Sequence, residues 1–489
     1  MTAIMFQGTG SNVGKSMMVA GLCRHWKNQG LKVAPFKPQN MSNNAAVTME
    51  GGEIGRAQAL QALACGLEPS IHMNPVLLKP ESNTGSQVVV QGKAIGQMKA
   101  RDYASHKKSL LSAVMASYDH LKADADIVVI EGAGSASEVN LRAGDIANMG
   151  FAEAAKLPVI LIGDIDRGGV IASLVGTRHI LPAADRALVR GYVINKFRGD
   201  PTLFTSGLDI ITSETDWPSF GVLPWFDHAA KLPAEDSEDL SRDAKGTHED
   251  GSLKIVVPVL PRIANFDDLD ALRSDPSISV EMIRSGRPLP LDADLVILPG
   301  SKSTIADFEA MKREGWDIDI KAHARKGGHV LGLCGGYQML GRYIHDPQGV
   351  EGPAGSKCEG LGLLDIETVM DGEKRTVRIE GTHIESQSPM HGYEIHIGSS
   401  DGPDSSRPLF EIEGQSEGAR SPNGRIMGSY IHGLFNQDTF RGQFFKSLGH
   451  QTSAHSYDAM VDETLDLLAD HVANNLDTDG LLAIAQGGL

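Results

Sequence analysis

The chain has 489 residues, of which 41% are hydrophobic and 22% charged, so it is long enough for two or more folded domains, and global disorder is excluded. It contains no run of eighteen apolar residues and begins with a short apolar segment rather than a basic leader, which predicts a cytoplasmic protein without a membrane partner. Its formal net charge of -17 argues against a nucleic-acid partner, and the spacing of its four cysteines fits neither a disulfide framework nor a zinc site.

The N-terminal segment predicts a strand, a glycine-rich loop and a helix in direct succession. Thr2–Gln7 is the apolar strand, and Gly8–Ser16 follows it before a helix that ends near Gly30. In a phosphate-binding loop of this kind, backbone N–H groups cradle the phosphates, a lysine reaches the outer phosphates and a hydroxyl ligates Mg²⁺. The strict pattern has a glycine five residues before Gly14, where this chain has Thr9, so a plain glycine turn remains an alternative. The predicted ATP-binding residues of this loop are Gly8, Thr9, Gly10, Asn12, Val13, Gly14, Lys15 and Ser16.

Three later apolar runs each end in a polar turn, namely Asp126–Ile130, Pro158–Ile162 and Gly191–Ile194. Continuous buried strands separated by helices form a parallel sheet, and such sheets bind ligands at the carboxyl ends of their strands. Glu131 follows the first of these runs directly. Because a hard cation prefers oxygen ligands, we predict that Glu131 holds Mg²⁺ together with Ser16.

The other two turns supply further candidates. Asp164 and Asp166 follow the second run and are either linked to the metal or cap the next helix. Asn195 and Lys196 follow the third run, and we include them among the ATP-binding residues because they lie at the same predicted edge of the sheet.

A polar segment rich in amide side chains lies between the loop and Glu131. Between Leu31 and Leu110 there are nine basic and five acidic residues, which favours either solvated helix faces or an anionic substrate held near the first domain. Amide groups offer donors and acceptors together, which suits a large ligand that bears carboxylates and amides, although a loop-rich surface has a similar composition. The predicted substrate residues are Lys37, Gln39, Asn40 and Asn43.

A second α/β unit follows a polar, acidic stretch. The change in composition predicts four segments along the chain. These are an ATP-dependent domain at 1–230, a linker at 231–250, a second domain at 251–447 and a C-terminal helical extension at 448–489. The predicted strands of the second domain are Leu253–Leu260, Asp294–Leu298, His329–Leu333 and Gly424–Tyr430, and the predicted terminal helices are Tyr457–Asn475 and Gly480–Gln486.

Cys334 is a candidate nucleophile because it stands between glycines at a predicted turn from strand to helix. The N–H groups at the start of a helix favour a thiolate, whereas the alternative is a small buried hydrophobic side chain. A cysteine hydrolase needs a base and two N–H donors for the oxyanion. We predict that His432 is the base, and that the donors are Gly335 and the Gly300–Ser301 turn.

The pattern Gly332-x-Cys-x-Gly-x-Gln338 with a downstream His432 resembles the triad-type, class I glutamine amidotransferase domain. That resemblance implies a flavodoxin-like fold, hydrolysis of the glutamine side-chain amide through a thioester on Cys334, and a place for Gln338 near the oxyanion site. The usual His-x-Glu motif is absent, since position 434 is leucine. That departure fits the amidotransferases attached to corrin-amidating synthetases, and it predicts that His432 lacks its orienting carboxylate and that the glutaminase is weak or gated.

The first domain resembles the dethiobiotin synthetase group of phosphate-loop ligases through Gly8–Ser16 and Glu131–Gly134. Both domains in this order, with Lys37–Asn44, Gly163–Gly169 and Gly392–His396, resemble the cobyric acid synthase family over nearly the whole chain. The resemblance implies that ATP, Mg²⁺ and glutamine are used to amidate the b, d, e and g carboxylates of adenosylcobyrinic acid a,c-diamide in cobalamin biosynthesis. It implies small-molecule substrates and no tightly bound organic cofactor, and it leaves the oligomeric state open.

Three alternatives remain at this point. The sister enzymes that amidate the a and c carboxylates share both chemistries. A regulatory ATPase of the partitioning type would carry a signature lysine four residues before Gly14, where this chain has Gly10. A binding module of amidotransferase fold with an inactive cysteine is the third, and Leu434 is the residue that suggests it.

Overall fold

A computed structural model describes residues 2–81, 85–233, 252–453 and 455–487, and for residues 99–108 and 373 it describes the backbone only. The predicted linker lies outside the described residues from position 234 to position 250. Two compact units divide the chain. The first is drawn from Met1–Ser42, Thr48–Pro233 and Met460–Leu489, and the second from Asn43–Val47 and Ala234–Ala459.

The regular elements before residue 234 begin and end as follows. The strands are β1 (Thr2–Gly8), β2 (Val33–Phe36), β3 (Gln39–Met41), β4 (Ala45–Val47), β5 (Glu53–Gly55), β6 (Val76–Pro80), β7 (Gly85–Val90), β8 (Lys93–Lys99), β9 (Ile127–Ser135), β10 (Val159–Asp164), β11 (Val189–Phe197) and β12 (Ser219–Pro224). The helices are α1 (Lys15–Asn28), α2 (Arg56–Cys65), α3 (Ala100–Asp124), α4 (Met149–Ala155), α5 (Val170–Ile180), α6 (Ala183–Arg186) and α7 (Thr205–Thr215).

A parallel sheet forms the centre of the first unit. In the described part of the chain its six strands lie in the order β12-β11-β10-β1-β9-β2, and every neighbouring pair is parallel. The strands are buried on both faces, as β1 and β10 show, because helices cover the sheet. The prediction of a parallel sheet is therefore confirmed. A second, mixed sheet in the order β3-β6-β7-β8 lies in the same unit.

Two helices at the end of the chain, α13 (Tyr457–Asn475) and α14 (Thr478–Ala485), complete the first unit. The Arg24 guanidinium on α1 donates to both carboxylate oxygens of Asp466 on α13, at 2.7 and 3.0 Å. Gly21 on α1 faces α13 so closely that a Cβ there would lie 2.7 Å from Val472 Cγ2. The last predicted helices thus belong to the same compact unit as the phosphate-binding loop.

The remaining elements lie between residues 252 and 453. The strands are β13 (Leu253–Pro258), β14 (Ile278–Ile283), β15 (Leu295–Leu298), β16 (His329–Leu333), β17 (Tyr343–Asp346), β18 (Ser356–Glu359), β19 (Glu367–His383), β20 (Pro389–Asp401), β21 (Phe410–Ile412), β22 (Gln415–Glu417), β23 (Ala419–Arg420), β24 (Ile426–Ser429) and β25 (Ile431–His432). The helices are α8 (Asp270–Ser274), α9 (Thr304–Glu314), α10 (Trp316–Arg325), α11 (Gly335–Leu340) and α12 (Asp438–Ser447).

The second unit contains its own parallel sheet. Among the described residues its strand order is β14-β13-β15-β16-β24-β23, with only the β23–β24 pair antiparallel. A separate sheet is built on the long β19–β20 hairpin, and β25 pairs with β20 so that His432 lies opposite Tyr393. The two-domain α/β fold class is confirmed. No helix of the described residues is long and apolar enough to cross a membrane.

The close approach of α1 and α13 gives a stability prediction. Gly21→Ala places a Cβ against Val472 and Leu468, so we expect the free energy of unfolding to fall by about 1–3 kcal/mol. Gly176→Ala on α5 is the matched control, because its Cβ would meet nothing within 4 Å and should raise stability by about 0.5–1 kcal/mol. Urea unfolding followed by circular dichroism measures both. Equal effects of the two changes would contradict the α1–α13 packing.

Candidate functional site

The predicted phosphate-binding loop connects β1 to α1 in the way its sequence requires. Gly14 has a φ of 87°, and a Cβ there would lie 2.4 Å from Asn195 Nδ2, so only glycine fits. The Asn195 amide donates to Val13 O at 2.8 Å, and the Lys196 ammonium donates to Asn12 O. The structure therefore brings Asn195 and Lys196 onto the loop, at the edge where they were predicted.

The buried carboxylate of Glu131 is the centre of the same site. It accepts hydrogen bonds from Ser16 Oγ at 2.8 Å, from Lys37 Nζ at 2.9 Å and from Gln61 Nε2 at 2.6 Å. Glu131 is only 1% exposed, and a carboxylate so far from water needs such partners. Ser16 and Lys37 were predicted from the sequence, whereas Gln61 was not, because one glutamine on a helix carries no signal of its own.

The donor set fits a magnesium ion. Ser16 and Glu131 present hard oxygen atoms to one point, which is the ligand type that Mg²⁺ prefers. Among the described residues no group of three or more His, Cys, Asp or Glu side chains could hold a metal ion. Lys15 bends back over the loop and donates to Gly134 O at 3.0 Å.

Asp164, the last residue of β10, and Asp166, which follows the strand, both pair with cationic side chains. Asp164 lies 2.9 Å from Lys196 Nζ, and it also accepts the backbone N–H of Asp166 at 2.9 Å. Asp166 accepts from Arg198 Nε at 2.6 Å. The alternative that either carboxylate caps α5 is wrong, because the N-cap of that helix is Gly169 and no side chain caps it.

The predicted substrate residues lie on different parts of the fold. Lys37 is bound to Glu131, while Gln39 and Asn40 lie on β3. The Asn40 amide donates to Gln58 Oε1 at 3.1 Å. Asn43 belongs to the second compact unit, although only two residues separate it from Asn40 in the sequence.

In the second unit, Cys334 occupies a strained turn between β16 and α11. Its φ of 51° and ψ of -107° are rare for a residue with a side chain, and such strain concentrates at functional sites. A Cβ at Gly336 would lie 2.1 Å from Leu298 O, so the glycine lets the helix pack directly on β15. The Cys334 thiol lies 3.5 Å from Ile395 O. The sharp turn predicted from the glycines is present.

His432 does have an orienting carboxylate, and the expectation that it lacks one is wrong. Asp268 Oδ2 lies 2.7 Å from His432 Nδ1, and Asp268 Oδ1 accepts the Gly433 N–H at 2.6 Å. The acid comes from the turn after β13, 164 residues earlier in the chain, rather than from position 434. Leu434 is buried, 2% exposed. The reason for expecting a weak glutaminase is therefore removed.

The surroundings of His432 favour its charged form. Complete burial acts against the charge, but the Asp268 carboxylate and the neighbouring Cys334 outweigh it, so the pKa of His432 is raised well above its usual range. The Tyr393 ring stacks on the imidazole at 5.2 Å, and its hydroxyl donates to Asp267 at 3.0 Å. The imidazolium that forms when His432 takes the thiol proton is therefore stabilised by Asp268, and the stacked Tyr393 ring packs against it.

The two predicted oxyanion donors are adjacent. A Cβ on Gly335 would lie 3.0 Å from Ser301 N, and a Cβ on Gly300 would lie 3.0 Å from His432 Cε1. The first N–H groups of a helix have no intrahelical partner, so Gly335 N–H is available to an oxyanion. Ser301 is held by Asp307, whose Oδ2 accepts from Ser301 Oγ at 2.7 Å.

Gln338 lies beneath this turn and is 2% exposed. Its Oε1 accepts from Thr304 Oγ1 at 2.9 Å, and its Nε2 donates to Ile397 O at 2.9 Å and to Tyr430 OH at 3.3 Å. Gln338 therefore connects α11 with α9 and β20 next to the predicted oxyanion site.

Sequence reasoning missed three residues of this site, which are Asp268, Asp307 and Asn265. Asn265 lies 3.3 Å from His432 Nε2. The one available signal was the polar segment 265–268, Asn-Phe-Asp-Asp, which follows a predicted strand at the edge of the sheet where ligands bind. Nothing in the sequence indicates which of its carboxylates faces a histidine 164 positions later.

Two family models match the chain, one for each of its two predicted domains. Residues 4–240 match the model of the CobQ/CobB/MinD/ParA nucleotide binding domain, and residues 254–440 match the CobB/CobQ-like glutamine amidotransferase domain. These matches define a glutamine-hydrolysing ligase with an ATP-using nucleotide-binding domain.

Similarity to curated proteins identifies the family within this class of glutamine-hydrolysing ligases. A cobyric acid synthase of Rhodobacter capsulatus is 59% identical over 486 residues, covering 99% of this chain and 100% of the relative. The cobyric acid synthase of Methylobacterium nodulans is 58% identical over 490 residues and covers both chains completely, and that of Brucella canis is 58% identical over 99% of each chain. The chain belongs to the cobyric acid synthase family, as its sequence motifs predicted.

The contact between Asp268 and His432 gives the second prediction. Asp268→Asn removes the charge that holds the imidazolium, so we expect glutamine hydrolysis to fall by about 10²- to 10⁴-fold. The acid limb of the kcat/KM profile should move to lower pH, because the pKa of His432 falls when the Asp268 charge that raises it is removed. Asp292→Asn is the control, since that exposed aspartate of the same unit pairs with Lys254. A normal rate in Asp268→Asn would refute the role of the carboxylate.

Asp307 gives a pH prediction. Burial raises the pKa of Asp307 to about 6, although hydrogen bonds from Ser301 and from Arg262 N–H favour its charged form. Below this pH the carboxyl is protonated and holds Ser301 less firmly, so we expect glutaminase kcat to decline on the acid side of about 6. Asp307→Asn should lower kcat at neutral pH and abolish the inflection, as steady-state rates across the acid range would show. An unchanged profile in Asp307→Asn would contradict this assignment.

Proposed function

We propose that the protein uses ATP, Mg²⁺ and glutamine to amidate the b, d, e and g carboxylates of adenosylcobyrinic acid a,c-diamide, giving adenosylcobyric acid in cobalamin biosynthesis. The observation that carries the proposal is the presence of two complementary sites in one chain. One is the phosphate-binding loop around Glu131, and the other is the Cys334–His432–Asp268 arrangement. Full-length similarity to curated cobyric acid synthases supports the substrate.

The loop site suits activation of a carboxylate. A carboxylate is a poor electrophile until it is phosphorylated, and phosphoryl transfer depends on positioning and on neutralising charge. Lys15 would neutralise the transferred phosphoryl group, and Ser16 and Glu131 would hold the magnesium ion. When bound, the ion screens the phosphate charges. Lys37, beside Glu131, would bind the carboxylate that accepts the phosphoryl group.

The cysteine site suits release of nitrogen from glutamine. His432 takes the Cys334 proton, the thiolate attacks the side-chain amide carbon, and the N–H groups of Gly335 and Ser301 bind the resulting oxyanion. Collapse to the thioester expels ammonia with the proton that His432 returns, and water then releases glutamate. The loss of one oxyanion donor typically costs about 3 kcal/mol of transition-state stabilisation.

The two chemistries require each other. Ammonia must reach the acyl phosphate unprotonated, because ammonium has no lone pair with which to attack, so it has to be released in a sheltered place. Each of the two predicted domains is assigned one of these reactions. Residues 1–230 would act as the synthetase and residues 251–447 as the glutaminase, and the chain from Met460 onwards belongs to the compact unit of the synthetase. Gln39, Asn40 and Asn43 would contact the polar periphery of the corrin.

The proposal is tested by incubating the protein with ATP, Mg²⁺, glutamine and the a,c-diamide corrin. ADP release and stepwise mass gains, one for each amide formed, are the expected results. No corrin-dependent ADP release would refute the proposal. Amidation of a corrin with free a and c carboxylates instead would favour the sister activity.

Cys334→Ala separates the two sites. It should abolish amidation driven by glutamine and leave amidation driven by added ammonia intact, because the loop site does not depend on the thiol. Lys15→Ala should abolish both, since no acyl phosphate is made. Equal loss of the two activities in Cys334→Ala would contradict a separate glutaminase site.

A further inference from the structure

A partly open cavity of about 360 Å³ lies within the first unit. Its wall includes Ala3 near the start of β1, Pro158 just before β10, Arg190 near the start of β11 and Ile484 in α14. The phosphate-binding loop leaves the other end of β1 at Gly8, and a strand of 7 residues is about 20 Å long. The cavity is therefore at the opposite end of the parallel sheet from the loop, and neither proposed reaction uses it.

The volume of the cavity suits a small metabolite. One water molecule takes up about 30 Å³ of liquid, and pockets that bind organic ligands typically measure about 300–1,000 Å³. Voids in a well-packed protein interior are seldom much larger than a water molecule. At about 360 Å³ the cavity is too large for a packing defect and has room for a compact ligand.

The wall of the cavity is positively charged. Lys122, Lys156 and Arg190 all border it, and no aspartate or glutamate does. Among the described residues no carboxylate forms an ion pair with any of these three side chains. Three cations gathered without a counter-charge repel one another, and they stand out in a chain whose formal net charge is -17. An anion bound here would relieve that repulsion.

Helix ends account for only part of this charge. Lys122 lies in the last turn of α3 and Lys156 follows α4, where the helix dipole favours a cation. Arg190 lies on β11, and a strand has no comparable dipole. Lys156 also has a φ of 52°, a left-handed conformation that glycine or asparagine adopts with less strain. The dipoles therefore do not explain why all three cations meet at one cavity.

A buried hydroxyl group on the same wall lacks a partner. Tyr118 borders the cavity and is only 3% exposed, with its ring packed against Phe36 and Phe151 at centroid distances of 5.7 and 5.6 Å. Its hydroxyl forms no hydrogen bond with the described part of the chain, whereas a buried tyrosine hydroxyl normally has one. Burial, helped by the charge of Asp119, raises the pKa of Tyr118 to about 12. The hydroxyl thus keeps its proton at neutral pH and can donate it to an acceptor in the cavity.

The chemistry of these groups selects the ligand. The guanidinium and the two ammonium groups only donate hydrogen bonds, and the Tyr118 hydroxyl can donate as well. Arginine binds phosphate through two parallel hydrogen bonds, and lysine binds it as a point charge. Phosphoryl groups carry several charges and acceptor oxygens in a small volume, which a cavity of this size and charge requires.

We propose that this cavity binds a small phosphorylated anion with at least two negative charges, held by Arg190, Lys122, Lys156 and the Tyr118 hydroxyl. The ligand would connect α3, the turn between α4 and β10, and the start of β11. Because it would bind the folded protein and not the unfolded chain, it would stabilise the first unit. The proposal does not depend on the amidation reaction, since none of the residues assigned to that reaction borders the cavity.

Inorganic pyrophosphate is the probe, and its binding to the full chain is measured by isothermal titration calorimetry without Mg²⁺. Arg190→Gln removes a charged donor, so we expect its Kd to rise about tenfold or more. Tyr118→Phe keeps the packed ring and removes one neutral donor, so we expect about a fivefold rise. Lys231→Gln is the control, because it makes the same change of charge at an exposed lysine of the first unit outside the cavity.

Lys15→Ala distinguishes the cavity from the phosphate-binding loop. It weakens the loop as a phosphate site and should leave pyrophosphate binding in the cavity unchanged. Loss of binding in Lys15→Ala, or equal affinity in the wild type and Arg190→Gln, overturns the proposal. The absence of any pyrophosphate binding by the wild type overturns it as well. Citrate is the comparison anion, and tighter binding of citrate than of pyrophosphate would overturn the assignment to a phosphorylated ligand.

Thermal unfolding checks the folded state of each variant. The Tm of the wild type should rise with pyrophosphate concentration, and this rise should be lost in Arg190→Gln. Without pyrophosphate, Tyr118→Phe should unfold at the same Tm as the wild type or at a higher one, because it removes a buried polar group that has no partner. A lower Tm would show that the hydroxyl is already bonded within the protein, and would overturn its role in the cavity.

Discussion

A carboxylate removed from water must be given partners, and this constraint shapes both units of the protein. Glu131 is held by a hydroxyl, an ammonium and an amide, and Asp268 is held by an imidazole and a backbone N–H. Glu131 lies within β9 of the first parallel sheet, and Asp268 lies in the connection that follows β13 of the second. The strands and the connections that follow them therefore hold the two buried carboxylates, and each carboxylate belongs to one of the two candidate reaction sites.

Backbone strain marks the positions at which function outweighs stability. Cys334 and Asn265 both have a φ of 51°, and both contribute side chains around His432. Each such conformation costs on the order of 1–3 kcal/mol and persists because tight packing leaves no alternative. At Cys334 the constraint is the direct contact of Gly336 with Leu298. At Asn265 the side chain contacts His432 Nε2 and accepts the Ala45 N–H, each at 3.3 Å.

The chain passes between the two compact units more than once. The first unit receives residues from both ends of the sequence, and the second receives a short segment, Asn43–Val47, from within the first domain's sequence.

The sequence by itself determined the local features, which are the phosphate-binding loop, the apolar strands, the cysteine turn and the order of the two domains. These depend on residues close together in the chain, such as the glycines around Cys334 and the Lys15–Ser16 pair, and local sterics and hydrophobic periodicity are enough to specify them. Only the tertiary structure decided which carboxylate orients His432, that Gln61 supports Glu131, that Asp164 pairs with Lys196, and that the last helices pack in the first unit. Each of these contacts joins residues far apart in sequence, and the pairing is set by sheet register and packing, which no spacing along the chain reveals. The leucine at position 434 shows the difference, because it correctly indicated a missing local acid and gave no sign that Asp268 would supply one from another loop.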